Sequence, residues 1–404
     1  MPRPGAARVA MLLGNPCTHD ARVEREARTL AASGREVTVF ALAAPGLPAE
    51  ETRDGFRIVR SDPPGWTRWT GPARIVPLVR WFARCGFLAR AAASWRPTVV
   101  HGHDLETLLP GERLARGLGV PWVHDDHEVG IEKLPALTPP DLKGARRAVQ
   151  DRLTARLVRR AARLQRSLFP RAAAVITVST GCADVLRPYG ADPVVLRNLP
   201  EWRDLPPDPR LHERAGLAPA VRVALCQGTM TEATAPDACV SAAAHLPEGW
   251  AIVFLGATWM RPRLEEQARR EGLAARVRFV DAVPPAELPG FTRAAAVGLA
   301  PVRVLNESER RGLSNKVFEY LHAGIPTVTS TGTAQEAFVR ETGAGEAIAD
   351  LDPRTIAASV LRLGGVPEDE ARARSERFRA LARSAWSWDS EAPILARLYD
   401  RIGA

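Results

Sequence analysis

Short apolar runs alternate with longer stretches of helical period along most of this chain. Residues 8–13 form such a run. A polar turn follows, Gly14-Asn15-Pro16-Cys17-Thr18-His19-Asp20, then a helical stretch over 21–33 that stops at Gly34, then a strand-like run at 37–41. The alternation continues with strands at 56–59, 99–101, 122–124 and 174–178, and with helical segments at 75–94 and 105–118. Strands that alternate with helices predict an α/β protein with a largely parallel sheet covered on both faces. Between Asn198 and Pro209 proline crowds a polar segment and the periodicity is lost, which reads as a linker. Alternation then resumes with strands at 222–226, 251–256, 277–280, 297–300, 327–329 and 346–348. Two Rossmann-like halves are expected, over 1–200 and 201–385, with a cleft floored by the carboxyl ends of their strands.

Length supports that division, because 404 residues exceed what one core sustains. No apolar run approaches the roughly 18 to 20 residues of a bilayer span, and the opening Met1-Pro2-Arg3-Pro4-Gly5 leads into a strand rather than a signal-peptide core. The expected location is cytoplasmic. Cys17, Cys85, Cys182, Cys226 and Cys239 are odd in number and scattered, so neither a disulfide framework nor a zinc site is expected, only small buried hydrophobes.

The formal charge of +9 favours anionic partners. Nucleic acid is not expected among them, since no zinc, basic-zipper or RNP motif is present. Much of the charge sits between Lys143 and Arg171, where Arg146, Arg147, Arg152, Arg156, Arg159, Arg160, Arg163 and Arg166 interleave with Val149, Leu153, Leu157, Val158, Ala161 and Leu164. Such a helix could lie on a membrane or a phosphate backbone; the preferred reading is a solvated face over an apolar stripe, with peripheral membrane contact left open. A monomer or homodimer is expected.

Candidate chemistry is densest over 312–328. A small-residue loop (Leu313, Ser314, Asn315) leads into Lys316, an amphipathic helix bearing Glu319, a stop at Gly324 and an apolar run. A helix entrance presents unpaired N–H groups and a positive dipole end, to which Lys316 adds a full charge. Glu319, on the same face one turn in, can accept hydrogen bonds from vicinal hydroxyls. Together they suit a nucleotide diphosphate and its ribose; an ordinary solvated helix is the alternative. In the first half Thr18-His19-Asp20, His101-Gly102-His103-Asp104 and His124-Asp125-Asp126-His127-Glu128 each follow a strand. Imidazole and carboxylate at strand ends can orient sugar hydroxyls and move protons near neutral pH. A metal centre built from His101, His103, Asp104, His124, Asp126, His127 and Glu128 competes with that reading, but no helical metal-ligand spacing is present and no metal is expected. Asp350-x-Asp352 precedes a proline and a helix, the setting of a cap.

In order and spacing these segments resemble the retaining GT-B glycosyltransferases of group 1, family GT4. The resemblance rests on Asp20-Ala21-Arg22-Val23 with Glu26-Ala27, His101-Gly102-His103-Asp104-Leu105-Glu106-Thr107-Leu108, Asp126-His127-Glu128, Val175-Ile176-Thr177-Val178-Ser179, Val195-Leu196-Arg197-Asn198, and Asn315-Lys316-Val317-Phe318-Glu319-Tyr320 with Ala323-Gly324-Ile325-Pro326. It implies a GT-B fold, two Rossmann-like domains with parallel sheets facing a central cleft, and a last segment, 386–404, that crosses back to the first domain. It implies a hexosyltransferase moving a sugar from a nucleotide-diphosphate donor, UDP- or GDP-linked, to a small metabolite or glycan with no cofactor or metal. Arg, Ala and Pro usage suggests a GC-rich bacterial source, where such enzymes serve cell-envelope or natural-product biosynthesis.

Residue by residue, the resemblance implies Lys316 at the diphosphate, Glu319 on the ribose, the backbone of Val283-Pro284 against the base, and the Gly14-Asn15 turn closing over the phosphates. His103 would contact the transferred sugar, with Asp104 beside it, and His19, Asp20, Asp126, His127 and Glu128 would face the acceptor. Two departures stand out. Relatives carry a glutamate eight positions before Glu319, where this chain has Arg311 with Glu307 and Glu309 nearby. Relatives also place basic residues on the turn that here reads Gln227-Gly228-Thr229-Met230-Thr231. Arg311 is expected to supply the missing charge. A nucleotide-sugar epimerase and a catalytically silent nucleotide-sugar-binding protein are the alternatives. Acceptor contacts are expected on loops 45–52 and 65–72, the second bearing Trp66 and Trp69.

Overall fold

An eight-stranded sheet and a six-stranded sheet organise the chain, as seen in a computed structural model that describes residues 6–18, 20–62, 75–127, 129–134, 143–256 and 258–404. One compact unit comprises Met1–Asn198 together with Glu391–Ala404, the other Leu199–Ser390.

The first unit begins β1 (Arg8–Leu12), α1 (Ala21–Ala32), β2 (Glu36–Leu42), β3 (Glu50–Arg53) and β4 (Phe56–Ser61). It continues α2 (Ile75–Ser94), β5 (Val99–His103), α3 (Asp104–Leu118), β6 (Trp122–Asp125), α4 (Gly130–Lys133), α5 (Gly144–Leu168), β7 (Ala174–Thr177), α6 (Thr180–Leu186) and β8 (Pro193–Val195). The strand order is β3-β4-β2-β1-β5-β6-β7-β8, parallel throughout except β3 against β4. That edge strand falls partly within 45–52, read from sequence as loop. Its Glu50-Glu51-Thr52-Arg53 has no apolar residue, and cross-strand pairing with β4 supplies what composition does not.

The second unit runs α7 (Arg210–Ala215), β9 (Arg222–Gln227), α8 (Pro236–Ala242), β10 (Trp250–Leu255), α9 (Arg261–Arg270), β11 (Val277–Val280), α10 (Leu288–Arg293) and β12 (Val297–Leu299). It ends α11 (Glu307–Arg311), α12 (Asn315–Ala323), β13 (Thr327–Ser330), α13 (Ala334–Thr342), β14 (Gly345–Ile348), α14 (Pro353–Gly364) and α15 (Glu368–Ala385), and α16 (Trp388–Arg401) closes the chain. Its sheet order is β11-β10-β9-β12-β13-β14, all parallel.

Central strands such as β1 and β10 are buried along nearly their whole length because helices cover both sheet faces, which is why their sequences are continuously apolar. The proline-rich stretch after Asn198 is not a free linker. Leu199 is buried in the second unit's core, the Trp202 ring lies 5.6 Å from that of His322, and Asp204 pairs with Arg379. Asp352 caps α14 by accepting the Arg354 N–H at 2.8 Å, and all five cysteines are buried thiols. Among the described residues no helix is long and apolar enough to cross a membrane.

Candidate active site

Register decides which polar residues of the first unit meet. Side chains alternate along a strand, so His101 and His103 of β5 share one face while Val100 points to the other. β6 pairs in parallel with His103 opposite Asp125, and β1 sets Met11 opposite His101. α1 lies over this face, and its helical period turns Arg22 and Glu26 inward, one turn apart. From the chain's end, Tyr399 reaches the same place, its hydroxyl hydrogen-bonded to His101 Nδ1 at 2.9 Å.

The result is a fully buried ionic cluster. Arg22 Nε lies 2.7 Å from Asp125 Oδ2 and 3.0 Å from Glu26 Oε1. The rings of His101 and His103 stack at 4.3 Å, and His103 Nδ1 is 3.6 Å from Asp125. Toward solvent, His127 Nδ1 stands 3.5 Å from both Asp104 and Asp125. Asp104 holds φ at +62° on the sharp corner from β5 into α3, a left-handed conformation that costs energy in a non-glycine residue and tends to persist at functional sites.

Burial and charge sort the protonation states. Burial lowers His101 and His103 below the usual imidazole range. Burial would lower His127 as well, but Asp104 and then Asp125 outweigh it and push it up to about 10. Burial would raise Asp125, yet Arg22 and then His127 hold it well below the carboxylate range. Glu26 goes the other way, held well above that range by burial and, against the pull of Arg22, by neighbouring Asp125. Near neutral pH the charges of Arg22 and His127 therefore stand against that of Asp125, while Glu26 is pushed toward its neutral form. Ligand atoms of Glu26, His101, His103 and Asp125 lie within 4.8 Å of one another, close enough for a metal, but the cationic position among them is held by the Arg22 guanidinium.

In the second unit the polar groups gather at the carboxyl end of β9. Gly228, at φ +81°, carries no side chain where Lys316 Cε would lie 3.4 Å from one, and Lys316 Nζ donates to the Thr229 carbonyl at 3.3 Å. Burial lowers the Lys316 ammonium below the usual lysine range. Ser314 at the start of α12 makes no side-chain capping bond, so no side chain caps the positive end of that helix. One turn on, Glu319 accepts from the Gln227 amide, whose carbonyl is held by the Thr292 hydroxyl at 2.8 Å. The helix ends at Gly324 in the left-handed conformation.

The expected residues distribute unevenly over this geometry. Gly228, Thr229, Lys316 and Glu319 come together, with Leu313, Ser314 and Asn315 on the approach to α12; Val283 packs beside the second unit's core. Arg311 pairs at 3.4 Å with Glu307 of its own short helix, and Glu309 accepts from the Leu305 N–H at 2.6 Å, so neither glutamate is idle. His103, Asp104 and His127 converge, although His103 is completely buried while the side chains of Asp104 and His127 stay 19% and 13% exposed. Asp126 accepts from Gly130 N–H at 3.0 Å and from Gln165 at 3.1 Å, taken up in holding α4 and α5. Asn15 and Asp20 bond to each other at 2.8 Å in the β1–α1 turn, and Gly14 packs on Glu106. His124 faces away from the cluster between Trp122 and Phe169, where burial drives it down to about 3. His19, Glu128, Trp66 and Trp69 lie outside the described residues. Sequence reading gave no site role to Arg22, Glu26, Asp125, Gln227, Thr292 or Tyr399, although Arg22 and Glu26 stand in a run that carries the family resemblance and, at i, i+4 on an otherwise apolar helix face, signal a buried pair.

Comparison with known proteins agrees with this architecture. Residues 19–202 match the Glycosyl transferase 4-like domain family and residues 221–364 the Glycosyl transferases group 1 family. The chain is 28% identical to a D-inositol 3-phosphate glycosyltransferase of Xylanimonas cellulosilytica, over 99% of this chain and 98% of the relative. Among solved structures, sucrose-phosphate synthase of Thermosynechococcus elongatus superposes with a TM-score of 0.77 at 17% identity, over 98% of this chain and 99% of that one. The Anabaena protein HepE, in complex with UDP and glucose, superposes with a TM-score of 0.69 at 14% identity, over 98% and 100%. These neighbours have the GT-B fold.

Proposed function

We propose that this chain, which belongs to the group 1 glycosyltransferases, moves a sugar from a nucleoside-diphosphate donor to an acceptor hydroxyl with retention and without a metal ion. The observation that carries the reading is Lys316 lying over the Gly228–Thr229 turn at the mouth of α12, with Glu319 one turn further in and oriented by Gln227. Lys316 and the first-turn amides meet the diphosphate, and Glu319 the ribose hydroxyls. As the anomeric C–O bond breaks, negative charge grows on the departing phosphate, where a fixed cation and dipoles act on the transition state more than on the ground state. One such contact contributes about 3 kcal/mol. The acceptor oxygen bonds to the same face of the anomeric carbon, and its proton passes to a phosphate oxygen. His127, already protonated near neutral pH, is unsuited to take it.

In the first unit Asp104 and His127 present the partly exposed groups that orient sugar and acceptor, and His103 positions them from behind through Asp125. The Arg22 guanidinium supports metal independence, since it pairs with Asp125 and Glu26 in the place a divalent cation would need. UDP and GDP are the first nucleotides to try, and a cyclitol phosphate, named in the relatives, the first acceptor. Titration calorimetry with UDP, GDP, ADP and dTDP tests the donor site. One of them binds wild type, Lys316→Met binds it about 10 to 100-fold more weakly, and Glu319→Gln weakens the nucleotide but not inorganic pyrophosphate. Unchanged affinity in Lys316→Met removes the reading. The anomeric configuration of the product, read by NMR, tests retention.

A further inference from the structure

We propose that α5 docks on an anionic lipid surface, independently of the donor site. Arg152, Arg156, Arg159, Arg160 and Arg163 are all exposed and, at 100° per residue, fall within an arc of about 100° on one side of this helix. Arg146 and Arg166 extend the stripe to roughly 30 Å. The opposite side is committed to the protein, with Thr154, Ala161, Gln165 and Leu168 buried. Asp151, the one acid on α5, is engaged by Arg147 at 3.0 Å, and Arg166 lies over the Tyr189 ring at 5.2 Å. Among the described residues the five central arginines have no carboxylate partner. Several exposed arginines elsewhere do, Arg269 with Glu266, Arg340 with Glu336, Arg362 with Glu346 and Arg372 with Glu368, while unpaired ones such as Arg270 and Arg354 do not gather into a stripe of five on one helix face.

A helix face that serves only solvation usually carries both signs of charge, as α15 does with Glu368, Asp369, Glu370 and Glu376 among its arginines, because like charges one turn apart oppose the helix. A one-sign stripe is relieved when a dense anionic surface covers it. Guanidinium forks bind phosphate oxygens in pairs, and a broad, gently curved arc meets a plane of phosphates better than a single strand. The face carries no aromatic residue on which bases could stack, which disfavours single-stranded nucleic acid. Val149, 54% exposed near the start of α5, adds an apolar group able to enter the interface.

The test is co-sedimentation of the full chain with vesicles of phosphatidylcholine alone or mixed with phosphatidylglycerol. Binding is expected on the mixed vesicles alone and is lost in high salt. At about fivefold per arginine, the quadruple variant Arg152→Gln, Arg156→Gln, Arg159→Gln, Arg163→Gln binds more than about 100-fold more weakly. A control with the same change in net charge, Arg269→Gln, Arg340→Gln, Arg362→Gln, Arg372→Gln, stays within about fivefold of wild type. The milder pair Arg159→Gln, Arg163→Gln, expected to lose about 25-fold, keeps the test open if the quadruple variant misfolds. Absence of binding to mixed vesicles overturns the proposal, as does equal loss in the control. Retention on duplex DNA but not on vesicles, abolished by the same α5 substitutions, overturns it in favour of nucleic acid.

Discussion

In the first unit Arg22, Glu26, His101, His103 and Asp125 are sealed from solvent, and the charge of Arg22 answers that of Asp125 among polar neighbours; in the second, Lys316 and Glu319 are only half-buried and lean on neutral partners, Gln227, Thr292 and a backbone carbonyl. The same fold thus handles polar residues in two ways. A buried ion network stands only if every member is present, because each removal leaves a charge in low dielectric. A half-exposed lysine over a glycine turn can be lost with little harm to the fold, and what suffers is its ligand. Mutations in the first unit should therefore register as stability, and those in the second as affinity.

The sharpest way to break this contrast is Arg22→Met, which leaves Asp125 uncompensated and should cost about 3 to 5 kcal/mol in denaturant unfolding. Lys316→Met should stay within about 1 kcal/mol of wild type; equal losses would abolish the distinction.

Acid offers a second probe. His101, His103 and His124 all have folded values below the ordinary 6.5, His124 at about 3, so the unfolded chain binds more protons and stability falls as pH drops from about 6.5 toward 3. His127 has the opposite sign. Its contribution is complete below about 6.5 and lost as pH rises through about 10. In the second unit burial lowers His322 as well, against three such histidines on β5 and β6. Hydrogen exchange followed by peptide should show β5 and β6 opening at mildly acid pH before α12 does; simultaneous opening would count against the contrast.

Smaller effects sharpen it. Gln227→Leu strips an amide from Glu319 and should weaken nucleotide binding about tenfold with pyrophosphate affinity unchanged, both read by calorimetry. Tyr399→Phe removes the hydroxyl beside His101 and should cost about 1 kcal/mol of stability with nucleotide affinity unaltered. Asp352→Ala, at an exposed cap far from either cluster in function, should cost about 1 kcal/mol or less and leave binding and turnover alone.

Most strands were legible because covered parallel strands are continuously apolar, and the helices named from sequence because each shows its own period. Glu50–Arg53 escaped notice, being an edge strand of polar residues held by pairing. The stretch from Leu199 to Asp208 misled, because a proline-rich composition resembles a tether whether or not Leu199 and Trp202 are packed. Lys316 and Glu319 could be named from local spacing, since one helix places both. Asp125 could not be told from Asp126 in the run 124–128, because the choice depends on which way β6 faces.

What the chain's order of residues decided alone is everything governed by short range: strand and helix periods, the stop at Gly324, the lysine at a helix mouth, the arginine-rich face of α5. The tertiary structure decided which of those residues confront one another. Arg22, His103, Asp125, His127 and Tyr399 come from α1, β5, β6, the turn after β6 and α16, and their protonation follows from a burial no local pattern encodes. Charge states in a folded protein are set by neighbours across space and by the loss of water, and both appear only once the sheet has its register.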